Sequence, residues 1–120
     1  MSGLAMMLKA RGFEVTGSDS RDGPELGPLR GAGIEVTTAE STPLPEGCRM
    51  VIHSAAIRPE HPELQSARRR ELEILSYAEA LGRLQSTRSG ISIAGTHGKS
   101  TTSGLLAHVL VEGGLDPDVI

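Results

Sequence analysis

The eight residues Gly95-Thr96-His97-Gly98-Lys99-Ser100-Thr101-Thr102 combine the groups that hold a polyphosphate. Glycines let the main chain curl so that several amide hydrogens point at one anion, and a helix starting there adds unpaired amides and the positive end of its dipole. Lys99 brings a mobile full charge suited to the β- and γ-phosphates of a nucleotide. The Ser100 hydroxyl is a hard oxygen ligand of the kind Mg²⁺ prefers. The spacing is shorter than the common Gly-x-x-x-x-Gly-Lys-[Ser/Thr] loop, since Ile93 stands five before Gly98 and the preceding glycine is Gly95. The competing structure for these residues is a plain turn capped by Ser100. His97 reads either as a catalytic group or as a solvated loop histidine.

A second set of polar residues lies upstream. Ser18 and Asp19 follow an apolar alternation, at the carboxyl end of a strand, where ligands sit in a parallel sheet covered by helices. The alternative is that Asp19 caps the next turn, for which Asp has a local preference. His53, Ser54 and Ala55 follow the compact apolar run Met50-Val51-Ile52, so they line the same cleft or form only a strand-end turn. His61 and His108 have no evident role, and four scattered histidines give no metal-ligand spacing.

These residues need elements to position them. Met1, Leu4, Ala5 and Leu8 fall on one helical face, with Gly12 as the stop. Phe13 to Gly17 reads as a short strand, Leu26 and Leu29 as a short helix closed by Gly31 or Gly33, and Ile34-Glu35-Val36 as a strand. Pro62 opens a helix whose inner face is Leu64, Ala67 and Leu72, with Arg68, Arg69 and Arg70 on its solvated side. Ile74-Leu75 suggests another strand, and Tyr77, Ala78, Leu81 and Leu84 another helix. Residues 85–90 are polar and unpatterned, and mark a boundary between units 1–88 and 89–120. After it, Ile91-Ser92-Ile93-Ala94 reads as a strand, and Leu105, Leu106, Val109 and Leu110 as one helical face. Strand-helix alternation of this kind predicts an α/β fold with a parallel sheet and ligands beyond the carboxyl ends of its strands.

Composition narrows the classes. The chain has 120 residues with a formal net charge of −3, room for one small domain or two incomplete pieces. Fifteen glycines exceed the usual share of about 7%, and Phe13 and Tyr77 are the only aromatics, which favours turns over a bulky core. The one basic cluster does not support nucleic-acid binding. The single cysteine, Cys48, excludes an internal disulfide and a multi-thiolate metal site and fits a reducing cytosol. No apolar run reaches the roughly 18 residues of a membrane span, and residues 1–8 lack the basic region of a signal peptide, so a cytoplasmic location is expected.

The run Gly95 to Thr102 resembles the ATP loop of the Mur ligase family. Met-Ser-Gly-Leu-Ala at 1–5, Gly17-Ser18-Asp19, His53-Ser54-Ala55-Ala56-Ile57 and Tyr77-Ala78-Glu79 follow one another as in the branch that joins L-alanine to the lactyl carboxylate of UDP-N-acetylmuramate. The resemblance spans essentially all 120 residues. It implies a Rossmann-like UDP-sugar-binding domain over 1–88, lacking its first strand and glycine-rich UDP loop, and the opening strand-loop-helix of a P-loop ATPase domain over 89–120. It also implies a ligase of peptidoglycan synthesis that uses ATP and Mg²⁺ and proceeds through an acyl phosphate. Carried over, Gly95, Thr96, His97, Gly98, Lys99, Ser100 and Thr101 cradle ATP, Lys99 is catalytic, and Ser100 stands where the family often has a threonine metal ligand. Ser18, Asp19, His53, Ser54 and Ala55 meet the UDP-sugar. Two alternatives compete: a Mur-type ligase that shares the ATP loop but activates another carboxylate, such as a murein-tripeptide ligase or a folylpolyglutamate synthetase, the folate type lacking the UDP-binding unit, and a nucleotide-binding module without ligase chemistry, for which Asp19 marks a dinucleotide site.

Overall fold

The computed structural model describes residues 1–39, 41–87 and 89–120. Helix α1 (Ser2–Ala10) buries Leu4 and Met7, and Gly12 turns the chain in the left-handed region, at φ 85°, which a side chain resists. Strand β1 (Thr16–Asp19) follows. One turn of 3₁₀ helix (Pro24–Leu26) then runs into α2 (Gly27–Gly31), β2 (Glu35–Thr38) and β3 (Met50–His53). Helix α3 (Pro62–Arg69) starts with its proline in the first turn, where the missing amide hydrogen costs nothing. Strand β4 (Glu73–Ser76), α4 (Tyr77–Ser86) and α5 (Lys99–Glu112) complete the order.

Both strand pairs are parallel, as the α/β expectation required. Thr16 stands opposite Glu35 and Asp19 opposite Thr38; Met50 stands opposite Glu73 and His53 opposite Ser76. Among the described residues they form two separate two-stranded sheets. Helix α1 is common to both cores. Its Leu4 and Met7 pack with Ala80 among Ile52, Leu75, Leu81 and Leu84, while Ala5 touches the cluster of Leu26, Leu29 and Ile34 beside Val15 and Val36. Each buried leucine or isoleucine contributes about 1.5–3 kcal/mol, and aliphatic residues carry nearly all of this core. Phe13 is 57% exposed.

Three expectations are corrected. The first strand begins at Thr16, not Phe13, so Ser18 and Asp19 lie within it: a ladder starts where its partner does, and β2 begins at Glu35. Residues 91–94 form no strand, because extended chain becomes a strand only against a neighbour and these residues have none in the chain described. The arginine run is not simply solvated. Arg70 donates to the carbonyls of Leu44, Pro45 and Glu46 at 3.0, 2.8 and 2.9 Å, and Arg68 donates to that of Pro59 at 2.8 Å. The planar fork of Arg70 thereby ties the loop before β3 to the end of α3.

Candidate functional site

The strand ends carry the upstream polar set. Ser18, third in β1, donates its hydroxyl to Oε2 of Glu63 at 2.8 Å. Glu63 lies in the first turn of α3, and its Oε1 accepts the amide of Thr42 at 2.9 Å. Asp19 closes β1, and its Oδ1 accepts the Arg21 amide at 3.1 Å, the turn-capping bond that its residue type favours. That bond engages one carboxylate oxygen.

At the other strand pair, His53 closes β3 opposite Ser76, the last residue of β4. His53 Nδ1 lies 3.0 Å from the Ser54 carbonyl. A carbonyl only accepts, so Nδ1 carries the proton of this bond. The Ser54 hydroxyl accepts the Ala56 amide at 3.2 Å, and the Ile57 amide returns to the Ser54 carbonyl at 3.1 Å. Residues 54–57 are therefore a tight turn with Ala55 exposed. Beside it, an open cavity of about 400 Å³ is lined by Ala56, Ile57, Arg58, Glu60 and His61. A second, of about 220 Å³, is lined by residues on either side of the Glu63 contact, among them Thr42 and Ser66. His61 caps α3, its Nδ1 accepting the Glu63 amide at 3.4 Å, a local role.

Ser76 and Glu79 form a reciprocal cap at the start of α4. The Ser76 amide donates to Glu79 Oε2 at 2.7 Å and the Glu79 amide to Ser76 Oγ at 3.2 Å. Hydrogen bonding from the Ser76 side chain, then from its backbone, lowers the Glu79 carboxyl below its ordinary value, with His53 and Arg83 adding to the effect. A carboxyl whose folded value lies below the unfolded one stabilises the fold above the unfolded value of 4.5, and that contribution disappears as pH falls through the lowered folded value. Acidification below pH 4.5 is therefore expected to loosen the start of α4 and speed amide exchange at Glu79. Glu79→Gln should remove that acid response; an identical response in the variant would count against it.

The downstream loop has the geometry of an anion cradle. Gly98 is left-handed at φ 77°, ψ 2°, and stands at the N-cap of α5 with no side-chain cap bond. The first turn of this helix holds no acidic residue. The helix begins at Lys99, so Lys99 to Thr102 belong to its first turn and not to the preceding loop as expected: the Thr102 amide donates to the Gly98 carbonyl at 2.9 Å. Lys99 Nζ turns back to donate to the Gly95 carbonyl at 2.8 Å, spanning the mouth of the bend. Thr96, His97, Ser100 and Thr101 are exposed around it. A left-handed glycine, open helix amides and a lysine reaching over them fit a phosphate chain. Ser100 offers one oxygen to a cation. Among the described residues no group of three or more His, Cys, Asp or Glu side chains could hold a metal.

The structure thus brings Ser18 to Glu63, and His53 to Ser76 and Glu79. Among the described residues no hydrogen bond or ion pair joins Gly95–Thr101 to Ser18, Asp19, His53, Ser54 or Ala55. Sequence reading passed over Glu63 and Ser76, and placed Arg70 on a solvated face although it holds the carbonyls of Leu44, Pro45 and Glu46. For Ser76 the signal is legible, as Ser-x-x-Glu before a helical stripe is a capping box. Glu63 and Arg70 have no local signature, since their partners lie 21 to 45 residues away for Glu63 and 24 to 26 for Arg70.

Residues 1–89 match the pattern of the Mur ligase family, catalytic domain. The UDP-N-acetylmuramate--L-alanine ligase of Bradyrhizobium diazoefficiens is 42% identical over 120 residues, covering 100% of this chain and 26% of the relative. That of Kineococcus radiotolerans is 44% identical over 121 residues, covering 98% and 26%. The crystal structure of UDP-N-acetylmuramate-alanine ligase from Thermotoga maritima superposes with a TM-score of 0.85 at 28% identity, over 95% of this chain and 27% of that one. The chain therefore spans about a quarter of the length of the relatives it matches. With a family pattern extending across both strand pairs and relatives aligned through the glycine-lysine bend as well, the chain belongs to the Mur ligase family.

Proposed function

We propose that this chain is the amino-terminal part of a cytoplasmic enzyme of peptidoglycan synthesis that joins L-alanine to the lactyl carboxylate of UDP-N-acetylmuramate, using ATP and Mg²⁺. The observation that carries the reading is identity of about two residues in five to ligases named for that reaction, over alignments that cover essentially the whole chain. Residues 1–88 are the UDP-sugar unit, and 89–120 open the ATP unit with its strand completed by chain outside these residues. The two parallel ladders are the halves of a doubly wound sheet whose central strand is likewise supplied from outside them. Among the described residues no helix is long and apolar enough to cross a membrane. Neither nucleic acid nor lipid is a partner in this reading.

A carboxylate is a poor electrophile at neutral pH, and ATP supplies the phosphoryl group that makes it an acyl phosphate open to attack by the amine of alanine. Phosphoryl transfer depends on positioning and charge neutralisation more than on covalent help from the protein. Gly95 to Gly98 and the first amides of α5 bind the phosphates. Lys99 exchanges its bond to the Gly95 carbonyl for the transferring phosphate and neutralises it. Ser100 and Thr101 present hydroxyls, Ser100 toward the cation. Ser18 and Asp19 hold the nucleoside of the sugar nucleotide, while His53, Ser54 and Ala55 line the cleft beside it.

Titration of the full-length protein with UDP-N-acetylmuramate and, separately, with NAD tests the reading. Saturable binding of the first, with ADP release that needs both it and L-alanine, is the expected result. Binding of NAD instead would make Asp19 the mark of a dinucleotide site and overturn it.

A further inference from the structure

We propose that Glu63 is a positioning residue that sets the hydrogen-bonding polarity of Ser18, so that Ser18 meets the bound nucleotide as an acceptor. The inference rests on the reading of Ser18 as part of the UDP-sugar site. Glu63 uses one carboxylate oxygen for the Ser18 hydroxyl at 2.8 Å and the other for the Thr42 amide at 2.9 Å. Both partners donate, so the carboxylate only accepts. The single proton of Ser18 is thereby committed to Glu63, and what Ser18 presents outward is its lone pairs. The group it selects on a ligand is a donor, such as a ribose hydroxyl or a base N–H.

The surroundings keep the carboxylate from rotating out of this arrangement. The Thr42 amide is fixed backbone, and the amino end of α3 favours negative charge. At the far end of α3, Arg70 holds the carbonyls of Leu44, Pro45 and Glu46, so the loop carrying Thr42 is fastened to the helix at two points. Glu63 thus connects the end of β1, the 41–46 loop and α3 through one side chain, and no local sequence pattern announces it.

Glu63→Gln isolates polarity from size. If the amide oxygen keeps the Thr42 bond, the NH₂ group faces Ser18 and donates, and the Ser18 proton must turn outward. In the full-length protein, calorimetric titration should show E63Q binding UDP-N-acetylmuramate about tenfold more weakly, the scale of one reversed hydrogen bond. Its thermal midpoint should stay near that of the wild type. S18A should lose a similar amount. The double variant S18A/E63Q should be no weaker than S18A alone, because Glu63 acts through Ser18. A purely structural role predicts additive losses and a lowered midpoint, and either additivity or wild-type affinity in E63Q would overturn the proposal. Should E63Q fail to fold, S18A decides, and wild-type affinity in S18A would overturn it. If the wild type itself does not bind UDP-N-acetylmuramate, the substrate reading falls and takes this one with it; if it binds and E63Q binds equally, only the role of Glu63 falls.

Discussion

Lys99→Ala in the full-length protein is expected to lower kcat for alanine-dependent ADP release by about a thousandfold, the scale seen when a group neutralising transition-state charge is removed. UDP-N-acetylmuramate should bind the variant nearly as well as the wild type. The expectation follows from the division of the chain. Lys99 opens α5 and lies 2.8 Å from the Gly95 carbonyl, within a bend that no described contact joins to Ser18 or His53. Lys99 is the only lysine or arginine between Gly95 and Thr102, since the first turn of α5 continues as Ser100, Thr101 and Thr102. Removing it leaves the backbone amides to hold phosphate but takes away the lysine charge that offsets charge on the transferring group. Steady-state kinetics and calorimetry on one preparation check both halves. Loss of sugar-nucleotide affinity with turnover intact would contradict the division of labour.

The 120-residue polypeptide by itself is expected to show no alanine-dependent ADP release at all. Helix α5 buries none of its residues; Leu105 and Val109 are 64% and 65% exposed. A 14-residue helix with no fully buried residue is marginal in water, because fixing its backbone costs about 1–2 kcal/mol per residue and little burial offsets it. The preceding residues 91–94 have no ladder to join. Hydrogen exchange should therefore find residues 91–120 nearly unprotected, while β3 and β4 and the Leu4, Met7 and Ala80 cluster are protected. A bend that is not held in shape cannot place Lys99. Release of ADP from this polypeptide, dependent on alanine, would refute the expectation.

Much of this architecture is legible from residue order. Helix α1 follows from the i, i+3, i+4 and i+7 spacing of Met1, Leu4, Ala5 and Leu8, α3 from Pro62, and β3 from a compact apolar run, because each is decided within a few residues. The bend at Gly98 is equally local: only a residue without a side chain enters the left-handed region freely, and the helix start after it follows.

Strand limits were decided by the tertiary structure. Nothing near Phe13 says that pairing starts three residues later; the position of β2 does, through Thr16 opposite Glu35. Residues 91–94 look like a strand and are not one here, since a strand is a relation between two segments and not a property of one. The partners of Glu63 and Arg70 likewise belong to the fold. A carboxylate or guanidinium reads as surface charge until the chain returns, some 21 to 45 residues away in sequence, to place an amide, a hydroxyl or a carbonyl within 3.0 Å of it. Periodicity and backbone preference act over one or two turns of chain and can be read along it. Register and long-range hydrogen bonding arise only when distant segments meet.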